Sequence, residues 1–316
     1  MPLTLAAAAI CAMAPADRVW LDRALANWRV AERRLLRLAP SPLPRIIAVD
    51  ARCIWTGTPA RDGRIDWVAT PHDGKSVALP GGNTAPLGPI SHAAPDADGV
   101  GTGYFAMSLP SVWRAAGVSS GLGLERLMDG VMLHELMHTR QFYFANPRLA
   151  ELGRQYGFGD DISDDSLQER FKDDPAYVAA WEAETDLLYA AAAAPTDAQA
   201  RRLAKQALAV MRARQARWFT GKDAQWQPLD DVFLTMEGLG QWLAYAWYVS
   251  PRGGGIDRAT ALREVRRKRN QWSQDEGLGL FLVIDRLVPG WQRDVFAANP
   301  VLAEALLARA AGVASR

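Results

Sequence analysis

The 316-residue chain is poor in cysteine (two), poor in histidine (four), almost without net charge (+1), and has no charge-free apolar run long enough to span a bilayer. Two cysteines exclude the disulfide framework of a small secreted scaffold. A near-zero charge argues against a chain built to coat nucleic acid or an anionic membrane, which needs a large positive excess. What is present is an ordinary globular mix, 49% hydrophobic and 22% charged. That excludes wholesale disorder and rod-like repeats, and the length is ample for a buried core.

The apolar stretch with the best claim to a membrane span is Val232 to Ser250. It contains Glu237, Gln241, two glycines and two tyrosines, so its transfer into lipid is poor and a buried core helix is expected instead. Residues Met1 to Ala16 (MPLTLAAAAICAMAPA) form an apolar run ending in a small-x-small pattern before Asp17. This resembles a secretory signal peptide without a basic start. The expected organisation is therefore a leader over 1–16 and a single domain over 17–316, exported to the periplasm or beyond. If 1–16 is not a leader, the protein is cytoplasmic. Cys11 would leave with the leader, and Cys53 would remain as a lone, buried thiol.

Apolar residues recur at helical spacing from Asp17 to Leu38, so the 17–44 segment reads as a helix ended by prolines. Residues 45–112 change character. Short apolar runs (46–49, 65–68, 104–107) alternate with Gly, Pro, Asp and Asn clusters, the pattern of a small antiparallel sheet with long turns. From Ser119 onward the pattern is helical. A helix is expected over about 122–145, stopping at Asn146–Pro147, and an acidic, irregular segment over 150–175. Helices follow at about 176–194, 197–219, 230–249 and 257–273, with two short pieces at the end. The class is α+β, a small sheet in the N-terminal third and a mainly helical remainder. Arg263 to Arg269 (REVRRKR) reads as a solvated helical face, and no nucleic-acid partner is expected.

The chemistry lies in His134-Glu135-Leu136-Met137-His138, an HExxH sequence inside the strongest helical pattern. Histidines at i and i+4 share one helical face, so both imidazoles can reach one tetrahedral zinc ion. Glu135 stands beside that pair, placed to accept a proton from a zinc-activated water. Arg140 departs from the usual extended pattern, in which that position is apolar.

The third ligand is not a histidine downstream, because none follows His138. His72 or His92 from the sheet region is the less favoured candidate, since both read as surface residues in Pro/Gly-rich loops. Two carboxylates compete. Glu237 is the only charged residue between Val232 and Pro251, and a lone carboxylate in an apolar helix is costly unless paired or bound to a cation. Gly238 and Gly240 after it allow close approach of a second helix. Glu182 is the alternative, although three acids in five residues (Glu182, Glu184, Asp186) read more easily as a partly solvated face. These acids could instead orient a ligating histidine.

With these residues in view, the chain resembles the gluzincin superfamily of zinc metallopeptidases. Glu237-Gly238-Leu239-Gly240-Gln241-Trp242 is similar to the superfamily's third-ligand helix, with Gly240 where Ala is usual. Glu182 to Asp186 is similar to a variant form of it. Leu278 to Trp291 is similar to a segment of uncharacterised bacterial members. The resemblance implies a zincin-like fold and a zinc-dependent hydrolase acting on peptide or protein substrates, with Glu135 catalytic and His134, His138 and Glu237 holding Zn2+. It also implies an edge strand that holds substrate backbone, for which Tyr104 to Leu109 is the candidate as the last strand before the zinc helix. The alternative is a zincin-like binding or envelope-associated protein without turnover.

Overall fold

The computed structural model describes residues 11–60, 63–95, 103–159, 162–266 and 270–313. The chain is α+β, with its sheet confined to the N-terminal third. It groups into two compact units, Met1–Tyr143 with Leu243–Glu264, and Phe144–Trp242 with Val265–Arg316.

In the first unit, helix α1 (Pro15–Arg34) starts with proline in its first turn, where the missing N–H costs nothing. Trp20, Leu21, Leu25 and Trp28 bury one face of it. Asp17 is buried at its start, and its carboxylate accepts hydrogen bonds from the backbone N–H (3.0 Å) and Oγ (2.6 Å) of Ser111. Seven strands follow: β1 (Arg45–Val49), β2 (Cys53–Pro59), β3 (Ile65–Pro71), β4 (Ser76–Ala78), β5 (Thr84–Pro86), β6 (Ser91–Ala94) and β7 (Tyr104–Ser108). Five of them form a sheet in the order β3-β2-β1-β7-β6, while β4 and β5 pair separately. The β1–β7 pairing is parallel, so the sheet is mixed rather than purely antiparallel. Ile47 and Val49 of β1 and Tyr104 and Ala106 of β7 share a core with Val77, Leu79 and Ile90. Ile46–Val49 of β1 and all of β7 are buried, so both faces of these central strands are covered.

Two expectations are corrected here. The strand Tyr104–Ser108 is interior, flanked by β1 and β6, and the edge is β6. Chain order put β7 next to the HExxH helix, but the 91–94 return strand covers its open side. His92 lies in that edge strand and is half-buried, and His72 is also half-buried, its Nε2 lying 3.0 Å from the Asp50 carbonyl oxygen. His92 is therefore a strand residue, while His72 lies in the loop that follows β3. The second correction is Cys53, which is not a free thiol. It is disulfide-bonded to Cys11, 42 positions earlier, and both are buried. Closing a loop of that length restricts the unfolded chain and contributes about 4 kcal/mol.

Helix α2 (Pro110–Ala115) leads to α3 (Leu124–Thr139), which carries HExxH and packs on β6 and β7. The expected helix over 122–145 is divided. Arg140 N–H turns back to the Met137 carbonyl and Gln141 N–H to the His138 carbonyl, closing α3. A new helix, α4 (Phe142–Tyr156), then runs through Pro147. The proline sits in its second turn and forfeits only the bond to the Tyr143 carbonyl. Arg140 has a structural use. Its Nη1 donates to Glu32 Oε1 at 3.0 Å, and that fully buried carboxylate also accepts from Ser41 N and Oγ.

The second unit is helical. Much of the segment expected to be irregular is the end of α4 and α5 (Ser166–Phe171). Helices α6 (Pro175–Ala193) and α7 (Asp197–Trp218) pack along each other. Asp174 caps the first by accepting from Ala176 and Tyr177 N–H, and Thr196 caps the second by accepting from Gln199 N–H. Helix α8 (Trp226–Val249) supplies residues through Trp242 to this unit and Leu243 onward to the first. Then come α9 (Arg258–Val265), α10 (Trp272–Leu287), α11 (Gln292–Val295) and α12 (Ala303–Ala310). The expected basic helix thus ends at Val265, and residues 267–269 of the basic run lie outside the described residues. Phe171, Tyr177, Trp181, Phe219, Trp226 and Trp272 form an aromatic core. Gly238 of α8 meets Gly277 of α10 so closely that a Cβ on Gly238 would lie 2.6 Å from the Gly277 carbonyl oxygen. No helix among the described residues is long and apolar enough to cross a membrane.

Candidate metal centre

His134 and His138 are one turn apart on α3, and each is only 7% exposed. Their Nε2 atoms face each other at 3.0 Å. Two atoms bound to one tetrahedral zinc at about 2.0–2.1 Å stand roughly 3.4 Å apart, so this spacing is close to that of a shared ion. His138 Nδ1 lies 2.8 Å from Gln141 Oε1. A carbonyl oxygen only accepts, so Nδ1 carries the proton and the Nε2 lone pair is available as a ligand. The turn that ends α3 at Arg140–Gln141 is what brings that amide back onto the histidine.

Glu237 lies on α8 and is 6% exposed. Gln274 of α10 donates from Nε2 to Glu237 Oε2 at 3.1 Å, and Gln241, one turn after Glu237, donates to Gln274 Oε1. The Gly238–Gly277 crossing is the reason α10 comes near enough for this chain of amides. One ligand atom each from His134, His138 and Glu237 lie within 4.8 Å of one another.

Glu135 is half-buried, and its Oε1 accepts from Ser91 Oγ of edge strand β6 at 3.0 Å. Burial holds the His92 imidazole below its ordinary pKa, and the charge on Glu135 opposes this. In the second unit, burial raises the Asp165 carboxyl above its usual range, with the charges of Glu237 and Glu169 adding to it.

The remaining acids are placed differently from the expectation. Both carboxylate oxygens of Glu184 accept from Arg214, at 2.8 and 3.3 Å. Arg214, 1% exposed, also donates to Tyr177 Oη (2.6 Å) and Glu276 (3.1 Å), with Asp230 at 3.5 Å. Burial, with the Glu184 charge next, pushes the Glu276 carboxyl well above its ordinary range. Burial pushes Asp230 up to about 6 against the pull of Arg214. Glu184 therefore belongs to a closed charge cluster, and the contact that orients His138 comes from Gln141. Asp186 is exposed, 3.9 Å from Arg266, and Glu182 is half-buried on α6. Sequence reasoning missed Gln141, Ser91 and Gln274. Neutral side chains one turn or one strand away carry no spacing signal.

No protein-family model, curated protein or solved structure matches this chain. The arrangement itself offers two imidazoles and a carboxylate in a buried setting. That is the three-residue donor set of catalytic zinc sites, which leave a fourth position for water or substrate.

Proposed function

We propose that the protein is a zinc-dependent peptidase of the gluzincin kind, with His134, His138 and Glu237 holding the metal and Glu135 as general base. The observation that carries this reading is the buried His134–His138–Glu237 group with Glu135 between the two histidines in sequence. Zinc in such a site lowers the pKa of a water to about 7 and polarises a carbonyl. The residues do the rest. Gln141 keeps the His138 Nε2 lone pair available, and Gln274 fixes one Glu237 oxygen. Glu135 takes a proton from the attacking water and delivers it to the leaving amine. Ser91 holds that carboxylate from β6, whose open edge is the strand able to pair with an extended substrate backbone. In a chain that retains Cys11, the Cys11–Cys53 bond supports an oxidising compartment.

The test is zinc per chain by elemental mass spectrometry, together with hydrolysis of a mixed peptide library. Wild type is expected to hold about one zinc and to cleave in a chelator-sensitive way. Glu237→Gln should lose most of the metal. Glu135→Gln should keep it while turnover falls by about 10²- to 10⁴-fold. Retained turnover in Glu135→Gln, or no zinc in wild type after metal is offered back, would overturn the proposal. Zinc without hydrolysis of any peptide would leave a binding protein.

A further inference from the structure

In the first unit a cleft of about 610 Å³ opens at the N-terminal end of α3. Ten residues separate Leu124 from His134, so the cleft lies roughly 15 Å along the helix axis from the first histidine. Its volume falls in the range of small-molecule sites.

Three features of its wall agree. Arg114, Arg126 and Arg252 line it, all three are exposed, and their guanidinium groups make no hydrogen bond or ion pair among the described residues. Arg23, also in the wall, differs in being engaged by Glu125 at 3.1 Å. Second, α3 begins without a cap. Gly123 precedes it at φ 83°, no side chain caps it, and the N–H groups of Leu124, Glu125 and Arg126 meet no acceptor among the described residues. These N–H groups and the helix dipole favour an anion. Third, Asp129 also lines the cleft. It is only 8% exposed, and its Oδ1 is ion-paired with Arg23 Nη2 at 3.7 Å but accepts no hydrogen bond. A buried carboxylate oxygen without a donor calls for one.

We propose that this cleft binds a small organic anion. Its phosphoryl or carboxylate group lies among Arg114, Arg126, Arg252 and the α3 N-terminus, and a hydroxyl or amine of the same ligand donates to Asp129. Arginine matches both anions through paired N–H donors. The site is separate from the metal ligands and does not depend on the peptidase reading.

The test is isothermal titration calorimetry of the full chain at low salt with inorganic phosphate, glucose 6-phosphate and citrate. The hydroxyl-bearing anions should bind more tightly than inorganic phosphate. The R126A/R252A double variant, altered only at exposed positions, should weaken binding by about tenfold or more with an unchanged unfolding temperature. Asp129→Asn should remove the advantage of glucose 6-phosphate over phosphate while leaving phosphate binding in place. Preference for glucose 6-phosphate over citrate assigns a phosphoryl ligand, and the reverse a carboxylate ligand. Either supports the site. No binding of any probe at millimolar concentration, or equal affinities in wild type and R126A/R252A, would overturn it.

Discussion

Arg214 with its three acidic neighbours is as deeply buried as His134, His138 and Glu237, and on composition alone the Arg214 group is the more polar of the two. They differ in what occupies the middle. The Arg214 guanidinium stands among Glu184, Asp230 and Glu276, so the chain itself supplies the cation. The other group consists of two imidazoles and a carboxylate, all metal-ligand types, converging within 4.8 Å. Burial of ionisable groups is common to both and therefore does not mark chemistry. The identity of the central cation does, a fixed side chain in one case and an exchangeable ion in the proposed other.

The comparison is most exposed at Arg214. Arg214→Ala leaves buried carboxyls without their cation and should destabilise the fold by about 3–5 kcal/mol in urea unfolding. Zinc per folded chain should be unchanged. Loss of zinc at unchanged stability would mean that the two groups are not distinct. Gly238→Ala forces a Cβ against the Gly277 backbone and is expected to cost about 1–3 kcal/mol. It should also weaken metal binding, because it displaces the helix that brings Gln274 to Glu237. Gln141→Ala removes a fully buried amide and should cost about 1–3 kcal/mol, and it should weaken zinc affinity about 10- to 100-fold, read by chelator competition. An unchanged affinity would remove Gln141 from the metal centre.

The smallest effect is one of pH. Asp230 has a folded pKa of about 6, above its unfolded value of 3.8. The folded state therefore holds the proton more tightly between those values, and this contribution to stability declines as pH rises from about 4 to 6. Asp230→Asn should flatten that decline, read by urea unfolding between pH 4 and 6. A steeper decline in the variant would reverse the assignment.

The legible parts of the molecule were those with local causes. HExxH is visible as letters, and the helical spacing that puts both histidines on one face follows from them. Glu237 stood out because a single carboxylate in an apolar helix needs a reason, and Gly238 beside it announced a close crossing. What stayed hidden depends on partners distant in sequence. Residues 91–94 become a strand only because β7 offers them an edge, so both the location of the sheet's margin and the role of Ser91 were out of reach. Pro147 looked like a helix stop, yet the stop comes earlier, where Arg140 leaves the helix to reach Glu32. Glu184 looked like a neighbour of the histidines because it is close in sequence to Glu182, while its charge answers to Arg214, thirty positions away.

The Cys11–Cys53 bond bears on how the protein is made. A leader peptidase cutting after Ala16 would discard Cys11 together with the leader and leave Cys53 single. Asp17 would become the first residue, still placed to hold Ser111. If the cross-link forms first, the cut breaks only a peptide bond and the leader stays tethered through Cys11–Cys53. Counting thiols under denaturing, non-reducing conditions, followed by the chain mass after reduction, thus reads out the maturation route: one reactive sulfur for a chain cut before oxidation, none for an oxidised chain, and loss of the first sixteen residues on reduction if that chain was also cut.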